Sequence, residues 1–273
     1  MNVEEAISHL KAGEPVAIPT ETVYGLAAPI FDVAAVKKIF FLKGRPSDNP
    51  LIAHVSSIAM AERIAENVPE WVSYFWPGPL TLVLPKKACV PAIVSGGHPT
   101  VAVRMPSHPL ALQLIEQVGP LVAPSANLSG KPSPTCARHV LEDFAIPVLD
   151  GGPCQIGIES TVLSLVHVQP TLLRPGAITQ QQLEDVLKMK IALPKNDEPI
   201  LSPGMKYRHY APKARVHIVG ESIPAGAHVV APDARTFYAE LRRADELGLE
   251  EIWIHPTSDP ALMNRLLRAA GKL

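Results

Sequence analysis

The sequence predicts an α/β protein with a mixed sheet and a small C-terminal α/β extension. Short apolar, strand-like runs alternate with helix-like segments through the first 190 residues, the pattern of an α/β layer. Two runs late in that stretch, 161–166 and 171–174, are close enough to form a hairpin, so the sheet is expected to be mixed rather than wholly parallel. Of the 273 residues, 47% are apolar and 19% charged, which supplies a sizeable core and argues against disorder.

Taken in order, Asn2 caps a helix over 2–12, with Glu5 three residues on and Gly13 at its end. A short strand follows at 15–18. Asp32 caps a second helix reaching Leu42, with Val36, Ile39 and Phe40 on one face. A strand is expected at 51–55 and a helix near 58–66. Further strands are expected at 80–84, 101–104, 121–123, 161–166 and 171–174, and further helices near 108–118, 135–143 and 179–189. The organisation is a main domain over 1–190, a linker over 191–213 and an extension over 214–273. The extension resumes as strand, strand, helix, strand and helix, and is too short for an independent core, so it is expected to pack as an appendage. The linker holds four prolines, but also a cluster of Lys, Arg, His and Tyr that a passive spacer does not need.

A net charge of −1 gives no bulk attraction to nucleic acid or membrane, so any basic patch is local. The N-terminal stretch carries acids early and lacks the basic start and apolar run of a signal peptide. No apolar run approaches the ~18 residues of a membrane span. Cys89, Cys136 and Cys154 are far apart and form no CxxC pair, so they read as buried thiols in a reducing cytoplasm. Many of the 29 prolines sit in short loops, which they stiffen.

Five segments carry the chemistry. The turn 19–26, PTETVYGL, places hydroxyls after a strand, either for a small polar ligand or for local turn bonds. In 43–50, KGRPSDNP, Lys43 and Arg45 flank Gly44. Arg can hold phosphate bidentately and Lys adds a point charge. Complementing a helix dipole explains Lys43 well and Arg45 less well. Arg104 ends an apolar strand, as a solvated charge or as the partner of a carboxylate in a cleft. The loop 123–135, APSANLSGKPSPT, is dense in hydroxyl and amide groups that can meet phosphate, and reads equally well as an ordinary loop. The fifth segment joins 157–161, GIEST, to 174–176, RPG; the hairpin is expected to leave Ser160 and Arg174 at ends that need not meet. There is no Walker A loop, G-x-S-x-G elbow or HExxH, and no carboxylate cluster at metal spacing, so no nucleophile triad or metal site is expected. His54, on an apolar strand, reads first as a hydrogen-bonded core histidine. The residues alone lead to a cleft of Lys, Arg, Ser and Thr suited to an anionic nucleotide.

Seven blocks together resemble the YrdC-like family in its long form: PTETVYGL at 19–26, KGRPSDNPL at 43–51, VAVRMP at 101–106, PSANLSGKPSPT at 124–135, GIEST at 157–161, LRPG at 173–176 and SPGMKYRHYAP at 202–212. The family's C-terminal extension is usually fuller than the one here. The resemblance implies a twisted, open sheet with a basic concave face. It implies L-threonylcarbamoyladenylate synthesis, in which ATP, L-threonine and bicarbonate give threonylcarbamoyl-AMP and pyrophosphate for a tRNA modification. It implies Lys43 and Arg45 as catalytic residues. Around ATP it places Arg45, Asn49, Thr100, Ser125, Ser133, Arg174 and Tyr210, with Tyr207 the alternative to Tyr210 and Asn127 supporting the Ser125 loop. Around threonine it places Thr22, His54, Arg104, Ala123 and Ser160. Mg²⁺ would arrive with ATP, and the further partners implied are tRNA and a downstream threonylcarbamoyl-transferase complex, with no membrane. Two rival readings remain at this stage: a carbamoyl-adenylate enzyme like the module in hydrogenase maturation proteins, and a non-catalytic RNA-binding protein.

Overall fold

The structure is a computed structural model and describes residues 1–194, 209–220 and 223–273. Helix α1 (Val3–Lys11) starts where the sequence caps it: Asn2 accepts from the Glu5 N–H, and the Glu5 carboxylate accepts from the Asn2 N–H. Strands β1 (Val16–Ile18) and β2 (Gly25–Pro29) then form an antiparallel pair, with Ala17 opposite Leu26. Helix α2 (Val33–Lys43) is capped by Asp32 and ends at Gly44 in the left-handed region. There follow β3 (Ile52–His54), α3 (Ile58–Glu62), β4 (Leu80–Pro85), α4 (Ala92–Ser95), β5 (Thr100–Arg104), α5 (Pro109–Val118), β6 (Leu121–Val122) and α6 (Ala137–Leu141). The hairpin β7 (Thr161–Ser164) and β8 (Thr171–Arg174) precedes α7 (Gln180–Leu187), which starts with a capping box at Thr179.

These eight strands make one mixed sheet in the order β1-β2-β6-β3-β5-β4-β7-β8. Only β3–β5 and β4–β7 run parallel. Each face buries a helical layer, and alternate residues divide between the layers as a period of two requires. Val16, Ile18 and Ala27 pack under Ala6 and Leu10 of α1 and Leu114 and Ile115 of α5. Ala17, Leu26 and Ala28 pack with Val36, Ile39 and Phe40 of α2 on the other face.

The extension holds β9 (Arg215–Ile218), β10 (Val229–Val230), α8 (Phe237–Glu246), β11 (Glu251–Ile254) and α9 (Pro260–Ala269), in the order of elements read from the sequence. Its strands form a parallel sheet ordered β10-β11-β9. Val216, Ile252 and Ile254 pack there against Leu241, Leu262 and Leu266, and the same cluster takes in Val23, Ile158 and Tyr210. The extension therefore shares its core with the loops of the large sheet. At the seam, Gly157 has φ +83°; a Cβ there would collide with the Ala234 backbone oxygen and come within 2.6 Å of Arg235 Cα.

Two differences from the sequence reading matter for function. Strand β2 was not expected, because its sequence, GLAAP, lacks β-branched residues; pairing with β1 and β6 makes it a strand, not propensity. The hairpin ends do meet: Val162 is opposite Arg174, since the first residues of one hairpin strand face the last residues of the other. Most of the expected linker motif, including Tyr207, lies outside the described residues.

Candidate active site

One cavity lies where β3 and β5 end and β7 begins. Of the residues expected around threonine, Thr22, His54, Arg104, Ala123 and Ser160 all line it. Of those expected around ATP, Arg45, Ser125, Arg174 and Tyr210 line it too. The sheet order explains the convergence. Parallel β3 and β5 put His54 beside Arg104, and the β4–β7 pairing brings Ser160 to Thr81, hydroxyl to hydroxyl at 2.7 Å.

Arg104 is held in place from three sides. Its Nη2 meets Glu21 Oε1 at 2.6 Å, its Nη1 donates to Thr22 Oγ1 at 2.8 Å, and its Nε donates to the Gly78 carbonyl at 3.3 Å. The PTETVYGL turn holds Thr22 in place: Thr20 Oγ1 donates to Val23 O at 2.7 Å and lies 2.8 Å from Thr22 Oγ1. Arg45 donates from Nη2 to Pro50 O at 2.9 Å and from Nε to Asn49 O at 3.3 Å, which closes the KGRPSDNP loop on itself. Arg174 reaches back across the hairpin to Ser160, from Nε to its carbonyl at 3.1 Å and from Nη2 to its hydroxyl at 3.2 Å.

The other expected residues stand behind the cavity wall. Lys43 Nζ donates to Ser125 O at 2.5 Å and Asn127 O at 2.6 Å, tying the end of α2 under the 123–135 loop. Burial and the neighbouring Arg45 push its pKa well below the ordinary lysine value. Asn127 Nδ2 donates to Leu128 O and Lys131 O within that loop. Ser133 donates to Glu159 Oε1 at 2.6 Å. Asn49 is buried in the Arg45 loop. Thr100 is buried at the far end of β5 from Arg104, ~13 Å away at the usual rise per residue.

Glu159, to which the sequence reading gave no role, and His209, one of the linker cluster, also line the cavity, and Glu21 lies just behind Thr22. Glu159 sat inside the GIEST block and His209 beside Tyr210, so the blocks marked the places without marking these side chains. Burial alone would raise the Glu159 pKa, but Arg265, Arg174, Ser133 and Tyr238 together hold it below the ordinary carboxylate value. Burial and Arg104 push His54 down to about 3, and burial with Arg45 pushes His209 down to about 4, so both rings are neutral near pH 7. His54 also meets the Ile52 carbonyl at 3.2 Å, as a core histidine does.

The end of the linker lines the cavity. Tyr210 sits at φ +63° with 5% of its surface exposed, its ring 5.4 Å from that of Tyr238. Ala211 N–H donates to Gly130 O at 2.9 Å and fastens this segment to the 123–135 loop. The free volume left is about 60 Å³, far below the ~300–1,000 Å³ of an ordinary ligand pocket. Three guanidiniums, two neutral imidazoles and one compensated carboxylate thus surround a small space. That arrangement favours an anion.

A family profile named for Sua5, YciO and YrdC, and described as telomere recombination, matches residues 8–176. The chain belongs to the Sua5/YrdC family. A second profile, described as the threonylcarbamoyl-AMP synthase C-terminal domain, matches residues 178–229. The chain is 42% identical to the threonylcarbamoyl-AMP synthase of Pyrococcus abyssi, over 97% of this chain and 93% of that protein. It is also 42% identical to the Bacillus subtilis threonylcarbamoyl-AMP synthase, over 98% and 93% of the two chains. The crystal structure of P. abyssi Sua5 complexed with L-threonine superposes with a TM-score of 0.92 at 41% identity, covering 99% of this chain and 94% of that one. A full-length HypF in a phosphate- and nucleotide-bound form shares the fold alone, at TM-score 0.59 and 17% identity, with 96% of this chain and 42% of that one covered. The P. abyssi alignment runs over 316 positions against the 273 residues here. This member of the Sua5/YrdC family therefore lacks segments that the relative carries.

Proposed function

We propose that this chain condenses ATP, L-threonine and bicarbonate into threonylcarbamoyl-AMP and pyrophosphate. The observation that carries this reading is that the whole threonine set and four of the ATP set, Arg45, Ser125, Arg174 and Tyr210, line one basic cavity, in a fold that superposes on a threonine-complexed relative. The threonine amine takes up carbon dioxide from bicarbonate to give a carbamate. A carbamate oxygen then forms a bond to the α-phosphorus, and the bond to pyrophosphate breaks. Such a displacement needs alignment and charge stabilisation more than a protein nucleophile. Arg45 and Arg174 supply positive charge for the phosphates. Thr22, Arg104 and Ser160 hold the amino acid. His54, being neutral, serves as a hydrogen-bonding wall and not as a cation. The Tyr210 segment keeps water from the labile carbamate, and it must swing aside for a nucleotide to enter so small a space.

Among the described residues no group of three His, Cys, Asp or Glu could hold a metal. The nearby carboxylates, Glu21 and Glu159, are paired with Arg104 and Arg265. The Mg²⁺ of MgATP would accordingly draw its oxygen ligands from the phosphates and water. The product is a reactive mixed anhydride, so the partner that fits is a transferase passing the threonylcarbamoyl group to a tRNA adenosine. A cytoplasmic setting suits these substrates, and among the described residues no helix is long and apolar enough to cross a membrane.

Pyrophosphate release, measured with each of the twenty amino acids and with or without bicarbonate, tests the reading. Release that requires both threonine and bicarbonate is expected; release indifferent to either would overturn it. Arg45→Ala removes a charged partner of the phosphates and is expected to weaken ATP binding by about 1.5–3 kcal/mol. Titration calorimetry checks this, and unchanged affinity would remove Arg45 from the phosphate site.

A further inference from the structure

Arg265, on α9 of the extension, is fully buried. A guanidinium out of water is costly unless every donor finds an acceptor, so its partners show what it serves. Its Nε donates to Glu159 Oε2 at 2.9 Å, its Nη2 to the Glu159 carbonyl at 3.3 Å, and its Nη1 to the Pro175 carbonyl at 2.7 Å. Tyr238, on α8, places its hydroxyl 3.0 Å and 2.8 Å from the two Glu159 oxygens. Glu159 in turn accepts from Ser133, and its chain neighbour Ser160 holds Arg174. The Arg265 guanidinium also lies 5.7 Å from the centre of the Tyr210 ring, which rests on Tyr238.

Glu159 puts a negative charge into a cavity whose ligand is anionic. An uncompensated Glu159 would repel the nucleotide phosphates there. We propose that Arg265 and Tyr238 are positioning residues for nucleotide use: by holding Glu159 in the cavity wall, they offset its charge and set the Ser133 loop and the Tyr210 ring. The extension is thereby part of the site, not an appendage to it. A purely adhesive seam would do as well with apolar side chains and would not need a carboxylate in the cavity wall. The inference rests on the proposed function for the identity of the nucleotide.

The test uses the full chain and measures KM for ATP and for threonine separately by pyrophosphate release. Arg265→Gln is expected to raise KM for ATP about tenfold, given the strength of charge-assisted hydrogen bonds, and to leave KM for threonine within about twofold. The double variant Arg265→Gln/Glu159→Gln removes the repelling charge and is expected to recover most of the ATP loss. An ATP KM within twofold of the parent, an equal rise in both constants, or a double variant no better than the single would each overturn the proposal. Should Arg265→Gln fail to fold, Tyr238→Phe keeps the ring under Tyr210 and is judged by the same split. A parent chain that releases no pyrophosphate would sink the proposed reaction. The ratio of ATP dissociation constants between variant and parent, by calorimetry, then decides the positioning role: an unchanged ratio, or no ATP binding by the parent, overturns it.

Discussion

Arg104→Ala is expected to cost about 3–5 kcal/mol of folding stability, in addition to removing threonine use, because it strands a buried carboxylate. The Arg104–Glu21 pair is 2.6 Å long, with side chains only 5% and 4% exposed. Glu21 would retain the Ser107 N–H at 3.1 Å but lose its counter-charge. Adding Glu21→Gln should restore much of the stability, since a neutral amide needs no partner cation. It should not restore threonine turnover, because the guanidinium that faces the amino acid is still missing. Urea unfolding reads the first effect, and the threonine dependence of pyrophosphate release reads the second. A stable single variant, or a double variant that regains threonine turnover, would show that Arg104 has a different role.

Acid is expected to be the second large stress. Burial holds three histidines below the ordinary value of 6.5: His54 at about 3, His139 at about 4 and His209 at about 4. In each case the unfolded chain binds the proton that the folded chain refuses. Their stabilisation is therefore fully present above pH 6.5 and is lost as pH falls toward 4. Near pH 5 these three rings give the unfolded chain roughly two to three more protons than the folded one, a slope on the order of 3 kcal/mol per pH unit. Over two units the loss rivals the ~5–15 kcal/mol total stability of an ordinary domain. Urea midpoints at pH 7, 6 and 5 check this; a flat profile would mean that these rings are charged or solvated in the folded chain.

Local signals in the sequence marked much of the fold. Asn2 and Asp32 each cap the helix expected after them, and apolar spacing located α2, α5 and α7. The sequence could not show β2, whose Gly, Ala and Pro residues become a strand only through their neighbours. The site divided in the same way. Motif blocks led to Thr22, Arg45, Arg104, Ser125 and Arg174, which line the cavity. Glu159 stayed hidden because its meaning lies in Tyr238 and Arg265, 79 and 106 residues away. Lys43 was legible as a cation but not as a brace for backbone carbonyls, since that depends on how the 123–135 loop folds over α2.

Gly157 makes the join between the two sheets sensitive to a single methyl group. The atoms that a side chain there would strike are the backbone of Ala234 and Arg235, which cannot rotate aside as a side chain does. Relief would have to come from shifting the start of α8 outward, and Tyr238 lies in the first turn of that helix. A wedge at 157 would thus pull Tyr238 away from Glu159 while deleting none of the polar groups that bind the two halves together. The smallest enlargement possible in the chain would act as a lever on the nucleotide side of the cavity, because residue 157 has no room to grow.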